Sequence, residues 1–366
     1  MNWILEIFGI LGPNPYFPKA IPALLISLAF SSFLLVRLVS LSKKAGLVDS
    51  PSERKTHKRD IPLIGGIAIF LSFVLALPLV PFGLMDFRIL ILAAGLIMVI
   101  GVLDDYSDVR PSTKIFGQLI VATIIVYLGN SVVPAIGDIF DWRDGNQQGL
   151  GPLAPLISII AIVALINAYN MVDGHDGLLA GIFQISALSL IVFCGLEGVW
   201  KLQLLLLLLV LSVGIFFFFN VSFIVPRSCQ SFLGDAGSMF LGLMIAFAAI
   251  NLTNEEGEIV RRVQIPWILG LPIFDMLAVV FDRIRIQGSV IKADRRHIHH
   301  ILLARGVTKK MVLIVLLLIH FSLNIVGLLG GLFHFPDWAL FWGLIPALGA
   351  YVLLRNYLVR QATVSR

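Results

Sequence analysis

The densest polar stretch of this chain is Asn167-Ala168-Tyr169-Asn170-Met171-Val172-Asp173-Gly174-His175-Asp176-Gly177-Leu178-Leu179, set between apolar runs. A helical turn would put Asp173 and Asp176 on one face, with Asn170 extending the row. An uncompensated charge this close to hydrocarbon costs roughly 2.5–3.5 kcal/mol, so two of them point to a ligand. Oxygen donors at this density suit Mg²⁺, which prefers carboxylates plus substrate phosphates to an all-protein cage. The EF-hand spacing with its terminal Glu is missing.

Four more clusters carry chemistry. In Gly101-Val102-Leu103-Asp104-Asp105-Tyr106-Ser107-Asp108, the adjacent carboxylates Asp104 and Asp105 close an apolar segment. They repel each other and oppose a helix C-terminus, and a divalent cation or a cationic group would relieve both problems. In Ser231-Phe232-Leu233-Gly234-Asp235-Ala236-Gly237-Ser238, Asp235 reads as a plain N-cap or as a carboxylate beside free N–H groups facing a metal-bound phosphate. Phe232 offers a ring that could stack on a base. The segment Asp294-Arg295-Arg296-His297-Ile298-His299-His300 has three His but neither HExxH nor a Glu. Its arginines disfavour a dication and suit an anion, because Arg matches phosphate bidentately. The strip from Arg54 to Gly66 reads first as a basic juxtamembrane run, worth about 1 kcal/mol per charge on anionic lipid. Its sharper reading is a phosphate strip including Lys58, with Gly65 and Gly66 letting backbone approach a ligand. A lone acid, Asp275, sits seven residues before Asp282; a polar tether and a catalytic role are equally open. Pro266 and Pro272 nearby predict a broken helix. GxxxxGK[ST], GxSxG and GxGxxG are absent, which argues against P-loop, serine-hydrolase and Rossmann chemistry.

The elements that must position these residues follow from the background. The chain has 366 residues, 58% hydrophobic and 13% charged, where a soluble domain carries about 25% charged residues. That excludes a soluble globular protein, a disordered chain and a nucleic-acid binder. Eleven apolar windows of span-like length occur at 20–41, 61–82, 87–103, 115–133, 151–169, 177–196, 199–221, 236–251, 263–281, 311–331 and 337–358. The windows at 87–103 and 236–251 are short. The expectation is an all-α, polytopic integral membrane protein of about 11 transmembrane helices, one domain over 1–366. No basic n-region precedes the first span, which is therefore read as retained. Twenty of the 27 Lys and Arg fall on one set of loops and six on the other. The positive-inside rule then puts the N-terminus outside, the C-terminus in the cytoplasm and all five clusters on the cytoplasmic face. Cys194 and Cys229 fall on opposite sides, so no disulfide framework is expected.

In order and spacing, the strip before Ile61-Pro62-Leu63-Ile64-Gly65-Gly66, the Leu103-Asp104-Asp105 triplet, the Asn167–Leu178 motif, Phe232–Ser238 and Arg296–His300 resemble the polyprenyl-phosphate N-acetylhexosamine-1-phosphate transferases (the glycosyltransferase 4 family). The likeness covers about 46–306. The Arg-His-Ile-His-His form is most similar to the branch that uses UDP-GlcNAc and undecaprenyl phosphate.

The resemblance implies a Mg²⁺-dependent enzyme, with Mn²⁺ as a substitute, in the bacterial inner membrane. It would initiate a lipid-linked glycan such as O-antigen or capsule. Asp104 and Asp105 would be catalytic, and Asp235 and Asn170 would hold the metal. Lys58, Asn167, Asp173, Asp176, Phe232, Arg296, His297, His299 and His300 would bind substrate, with Phe232 on uracil. His175 departs from the pattern, standing where an apolar residue is usual. The partners implied are a UDP-N-acetylhexosamine, undecaprenyl phosphate, membrane lipids and a second copy of the chain, with no nucleic acid. Alternatives are the phospho-MurNAc-pentapeptide transferase of peptidoglycan synthesis and a secondary transporter; the acids at span ends rather than mid-membrane speak against the latter.

Overall fold

The computed structural model describes residues 15–50, 60–107, 109–140, 149–221, 223–224, 230–254, 260–285 and 296–364, with side chains to 360. Residues 54–59 of the basic strip, Lys58 among them, and Cys229, Asp294 and Arg295 lie outside the described residues. The chain is mostly helical: α1 (Phe17–Ala45), α2 (Gly65–Ala76), α3 (Arg88–Ser107), α4 (Pro111–Tyr127), α5 (Ala154–Val172), α6 (Leu178–Leu196), α7 (Trp200–Asn220), α8 (Gly234–Leu252), α9 (Ile265–Ile268), α10 (Gly270–Arg285), α11 (Ile298–Ala304), α12 (Lys309–Leu332) and α13 (Asp337–Val364). One two-residue antiparallel pair joins β1 (Val48–Asp49) to β2 (Ile61–Pro62), with Val48 opposite Pro62.

Among the described residues eight helices are long and apolar enough to cross a membrane, or nine if a bent pair counts as one. That pair breaks at Leu269 with an 82° bend, as the prolines predict. The carbonyl of Ile268, freed by the break, accepts bonds from Ser186 Oγ at 3.0 Å and Asn324 Nδ2 at 3.1 Å, so the broken backbone is satisfied by neighbours rather than by lipid. Two of the eleven windows hold shorter apolar helices than they span: Gly65–Leu79 at 61–82 and Pro111–Tyr127 at 115–133. Pro78 and Pro81 close the first. The window at 87–103 is longer than it reads, because the helix runs on through Ser107 and includes both acids.

The bundle is built around α8. Of its most apolar stretch 89% is buried, against 17% for α1 and 11% for α13. It packs against α2, α3, α5 and α6. Outer helices instead show large apolar side chains such as Leu25, Phe116, Leu318 and Leu353, as a lipid-facing surface requires.

Glycines set the closest approaches. A Cβ on Gly66 would collide with the backbone of Gly237, and one on Gly101 with that of Ala236. This corrects the ligand reading of Gly65 and Gly66: they admit α8 and Phe216, not a phosphate. Gly101→Ala should therefore cost about 1–3 kcal/mol by overpacking, whereas Gly95→Ala on the same helix meets nothing within 4 Å. Thermal midpoints of the two variants check this; a Gly101 variant as stable as the Gly95 one would refute the close-packing argument.

Candidate active site

The C-terminal ends of α3 and α5 meet the N-terminal ends of α4 and α8 at one end of the bundle. Pro111 at the first turn starts α4, because its fixed φ and missing N–H suit that position. One turn later Lys114 faces back toward α3. Its Nζ donates to Asp104 Oδ2 and to Asp235 Oδ2, each at 2.5 Å. Asp104 is buried, and its other oxygen accepts from Val109 N at 2.9 Å.

Asp105 has a different task. Oδ1 accepts from Asp235 N at 2.7 Å and Oδ2 from Ala236 N at 3.1 Å. A carboxylate of α3 thus caps the start of α8, where orphan N–H groups and the helix dipole both favour negative charge. Asn170 Nδ2 donates to Asp235 Oδ1 at 2.6 Å and to Ser238 Oγ at 2.8 Å. Asn167, one turn deeper, donates to Gln118 Oε1 at 2.6 Å. Asp104 and Asp235 therefore share the Lys114 ammonium, and Asp105 and Asn170 join the cluster through their bonds to Asp235.

Beside it lies the turn from 173 to 177. The helical row expected for Asn170, Asp173 and Asp176 is broken. Asp173 is the C-cap of α5 (φ −73°, ψ 40°), and Gly177 at φ +79°, a conformation glycine adopts without steric cost, is the N-cap of α6. Asp176 instead meets Lys309, the first residue of α12, at 3.2 Å. Burial first, then the charges of Asp235, Asp105 and Asp176, holds the Asp173 carboxyl well above its ordinary 3.8. The folded state then binds more protons than the unfolded one, so stability falls as pH rises from about 4 toward the folded pKa. Asp173→Asn should remove that slope. Its thermal midpoint should gain on wild type between pH 5 and pH 7.5, and parallel curves would show an ionised Asp173.

The histidine segment closes the site. Asp275 Oδ2 pairs with His297 Nδ1 at 2.7 Å, and its Oδ1 accepts from Ile298 N at 3.2 Å and from Tyr351 Oη at 2.7 Å. This resolves Asp275 as the tether. His299 stacks parallel to His297, centroids 5.9 Å apart, and lies 4.1 Å from the His300 ring. Its Nε2 abuts Gly174, so the histidines and the Asp173–Gly177 turn are neighbours. Burial, then His300, pushes His299 well below the usual imidazole range. Burial likewise lowers His175, whose Nδ1 lies 3.1 Å from the Asp176 carbonyl. Both rings are therefore neutral at pH 7. Phe232 is half-buried, and its backbone is tied on both sides, by Phe232 N to Pro62 O and Gly65 N to its own carbonyl, each at 2.9 Å. Of the Arg296–His300 segment, Arg296 lends its carbonyl to Arg355 Nε at 2.9 Å.

The donor set fits a hard dication. Two carboxylates already converge on one cation, and Asn170 fixes the second oxygen of Asp235. Among the described residues no three His, Cys, Asp or Glu gather into a ready cage, so a metal there would complete its shell with substrate phosphates. Sequence reading missed Lys114, Gln118 and Lys309. The signal was present for Lys114: a lysine one turn past a helix-starting proline, ten residues after Asp104.

The family model described as glycosyl transferase family 4 matches residues 87–253, which hold Asp104, Asp105, Lys114, Asn170, Asp173, Asp176 and Asp235. Curated relatives are alike over nearly their whole length. The undecaprenyl-phosphate alpha-N-acetylglucosaminyl 1-phosphate transferase of Escherichia coli (strain K12) is 30% identical over 335 residues, 91% of this chain and 89% of that protein. That of Yersinia pestis is 30% identical over 92% of this chain and 90% of its own. That of Pasteurella multocida (strain Pm70) is 31% identical over 87% of each. With relatives this similar over so much of both chains, and a family match spanning the acidic cluster, the chain belongs to glycosyl transferase family 4, as a membrane phosphoglycosyltransferase.

Proposed function

We propose that the protein transfers N-acetylglucosamine-1-phosphate from UDP-GlcNAc to undecaprenyl phosphate, releasing UMP, with Mg²⁺ or Mn²⁺ as cofactor. The observation that carries this is the convergence of the Asp104 and Asp235 carboxylates on the Lys114 ammonium at helix ends, where an aqueous diphosphate and a lipid phosphate can meet. The names of the three relatives support the acceptor and the sugar.

In the reaction a lipid phosphate oxygen attacks the β-phosphorus of the UDP-sugar. The bond from that phosphorus to the α-phosphate bridge breaks, UMP leaves with the electron pair, and a diphosphate forms on the lipid. Such transfers depend mostly on positioning and charge neutralisation. Asp104 and Asp235 would hold Mg²⁺, with Asn170 orienting Asp235. The bound ion supplies neutralisation of the diphosphate charge. Lys114 offers an ammonium to the same oxygens once they arrive. Asp105 keeps Asp235 and the α8 N-terminus in place through its two backbone bonds. A lipid phosphate is largely ionised at pH 7, so orienting the acceptor matters more than deprotonating it. His297, His299 and His300 with Arg296 face the sugar and diphosphate, Asp173 and Asp176 flank the donor, and Phe232 stacks on uracil. Lys58 would add a phosphate contact.

The test supplies purified protein with undecaprenyl phosphate, Mg²⁺ and radiolabelled UDP-GlcNAc, UDP-GalNAc or UDP-MurNAc-pentapeptide. UMP and a lipid-linked sugar from UDP-GlcNAc are expected. Product from the pentapeptide donor alone would move the protein to the peptidoglycan branch, and no product from any donor would sink the enzyme reading.

The same proposal places the site on the cytoplasmic face of the bacterial inner membrane, in eleven crossings with the N-terminus outside. The helix of Pro111–Tyr127 rises about 25 Å at 1.5 Å per residue against a hydrocarbon core of about 30 Å, so adjoining coil must complete its crossing. A C-terminal fluorescent fusion that stays dark in cells would overturn this orientation. A homodimer is part of the reading, and cross-linking in native membranes that yields monomer only would remove it.

A further inference from the structure

The most lipid-exposed helix of the bundle carries a buried polar ladder. On α13, Tyr351 and Arg355 are one turn apart and share a face. On α10, Asp275 and Asp282 are two turns apart and also share a face. The two pairs interlock. Tyr351 Oη donates to Asp275 Oδ1 at 2.7 Å, and Arg355 NH1 donates to Asp282 Oδ2 at 2.6 Å. Both rungs also grip the segment between them. Asp275 holds His297 Nδ1 and Ile298 N, while Arg355 Nε holds the Arg296 carbonyl at 2.9 Å. Arg355 is 1% exposed and Tyr351 5%. A guanidinium taken so fully out of water is tolerated only where its fork is satisfied on more than one side.

We propose that Tyr351 and Arg355 are positioning residues for the donor-binding histidines: α13 holds the backbone of 296–298 in place and thereby sets the His297 and His299 rings. This rests on the reading of Arg296–His300 as donor-binding given above. A carboxylate on Nδ1 fixes the orientation and tautomer of His297. The His299 ring lies within 10° of parallel to it and abuts Gly174, so a shift of the segment is carried to the Asp173–Gly177 turn. Both rungs lie outside the residues matched by the family model, and neither touches the Asp104–Lys114–Asp235 cluster.

The experiment compares Tyr351→Phe, Arg355→Lys and Arg355→Met with the wild-type full-length protein in lipid nanodiscs. Arg355→Met should raise KM for UDP-GlcNAc at least tenfold and Tyr351→Phe several-fold. KM for undecaprenyl phosphate should stay within twofold, and Arg355→Lys should recover part of the loss. Amide hydrogen exchange across 296–305 should rise in Arg355→Met and in Tyr351→Phe. Both KM values moving together, or a lowered thermal midpoint with donor KM unchanged, would overturn the proposal by reducing the ladder to general stability. Unchanged exchange in both variants would also overturn it. If the wild type makes no lipid-linked product from any UDP-sugar, the proposed reaction has failed, and the exchange data still decide whether the ladder holds the segment.

Discussion

Asp235→Asn should lower Mg²⁺-dependent UMP release by about 10³-fold, about 4 kcal/mol of lost transition-state stabilisation, while the protein still folds. The fold is spared because the α8 cap uses the backbone N–H of residue 235, not its side chain: Asp105 accepts from Asp235 N and Ala236 N. An asparagine also fits the space beside Asn170 and Ser238. The carboxylate charge is what is lost. Lys114 would keep one acidic partner, Asp104, and the pair that shares a cation would become a single acid. Gel filtration and the thermal midpoint check folding, and UMP release checks turnover. A variant with near-normal Mg²⁺-dependent activity would remove Asp235 from the metal site.

Lys114→Met should have the next largest effect, and of a kind that separates two parameters. The ammonium occupies the point on which both carboxylates converge, so it competes with a divalent cation there and is also available to the substrate diphosphate. Deleting the charge leaves Asp104 and Asp235 facing each other without compensation, which strengthens their demand for a cation. The Mg²⁺ concentration at half-maximal thermal stabilisation should fall, while kcat falls about 100-fold for want of the lysine charge at the diphosphate. If Mg²⁺ binding weakens instead, Lys114 organises the carboxylates rather than competing for them. If neither quantity changes, the ion pair is incidental.

Much of this site was legible because the background is so apolar. Asp104, Asp105, Asp173, Asp176 and Asp235 had few bland explanations in the sequence, and four of the five clusters meet at one end of the described bundle. Of the fifth, the basic part at 54–59 with Lys58 lies outside the described residues. The break after Ile268 was legible too, because prolines act locally. What escaped depends on packing between distant elements. Lys114 reads as one more basic flank until α4 turns it between α3 and α8, 121 residues away from its partner Asp235. Gly65 and Gly66 read as a ligand loop because a glycine pair looks the same whether a phosphate or a helix comes close. The Asn170–Asp176 row failed for a local reason: three-residue spacing implies one face only while the helix continues, and it ends at Val172 with Asp173 as its C-cap. Asp275 stayed ambiguous because its partner Tyr351 is 76 residues along the chain.

The enclosure of α8 bears on how the protein is made. A helix with hardly any lipid-facing surface, lined with Gly237, Gly242, Ala246, Ala248 and Ala249, gains little from bare bilayer and much from neighbours that admit close backbone contact. Every helix it packs against most closely, α2, α3, α5 and α6, precedes it in the chain. Since segments emerge from the ribosome in chain order, the sheath is already in the membrane when Asp235 and its helix are synthesised. Insertion of α8 then becomes the step that assembles the acidic centre, and a polypeptide arrested before Gly234 would hold a vacant slot down its middle.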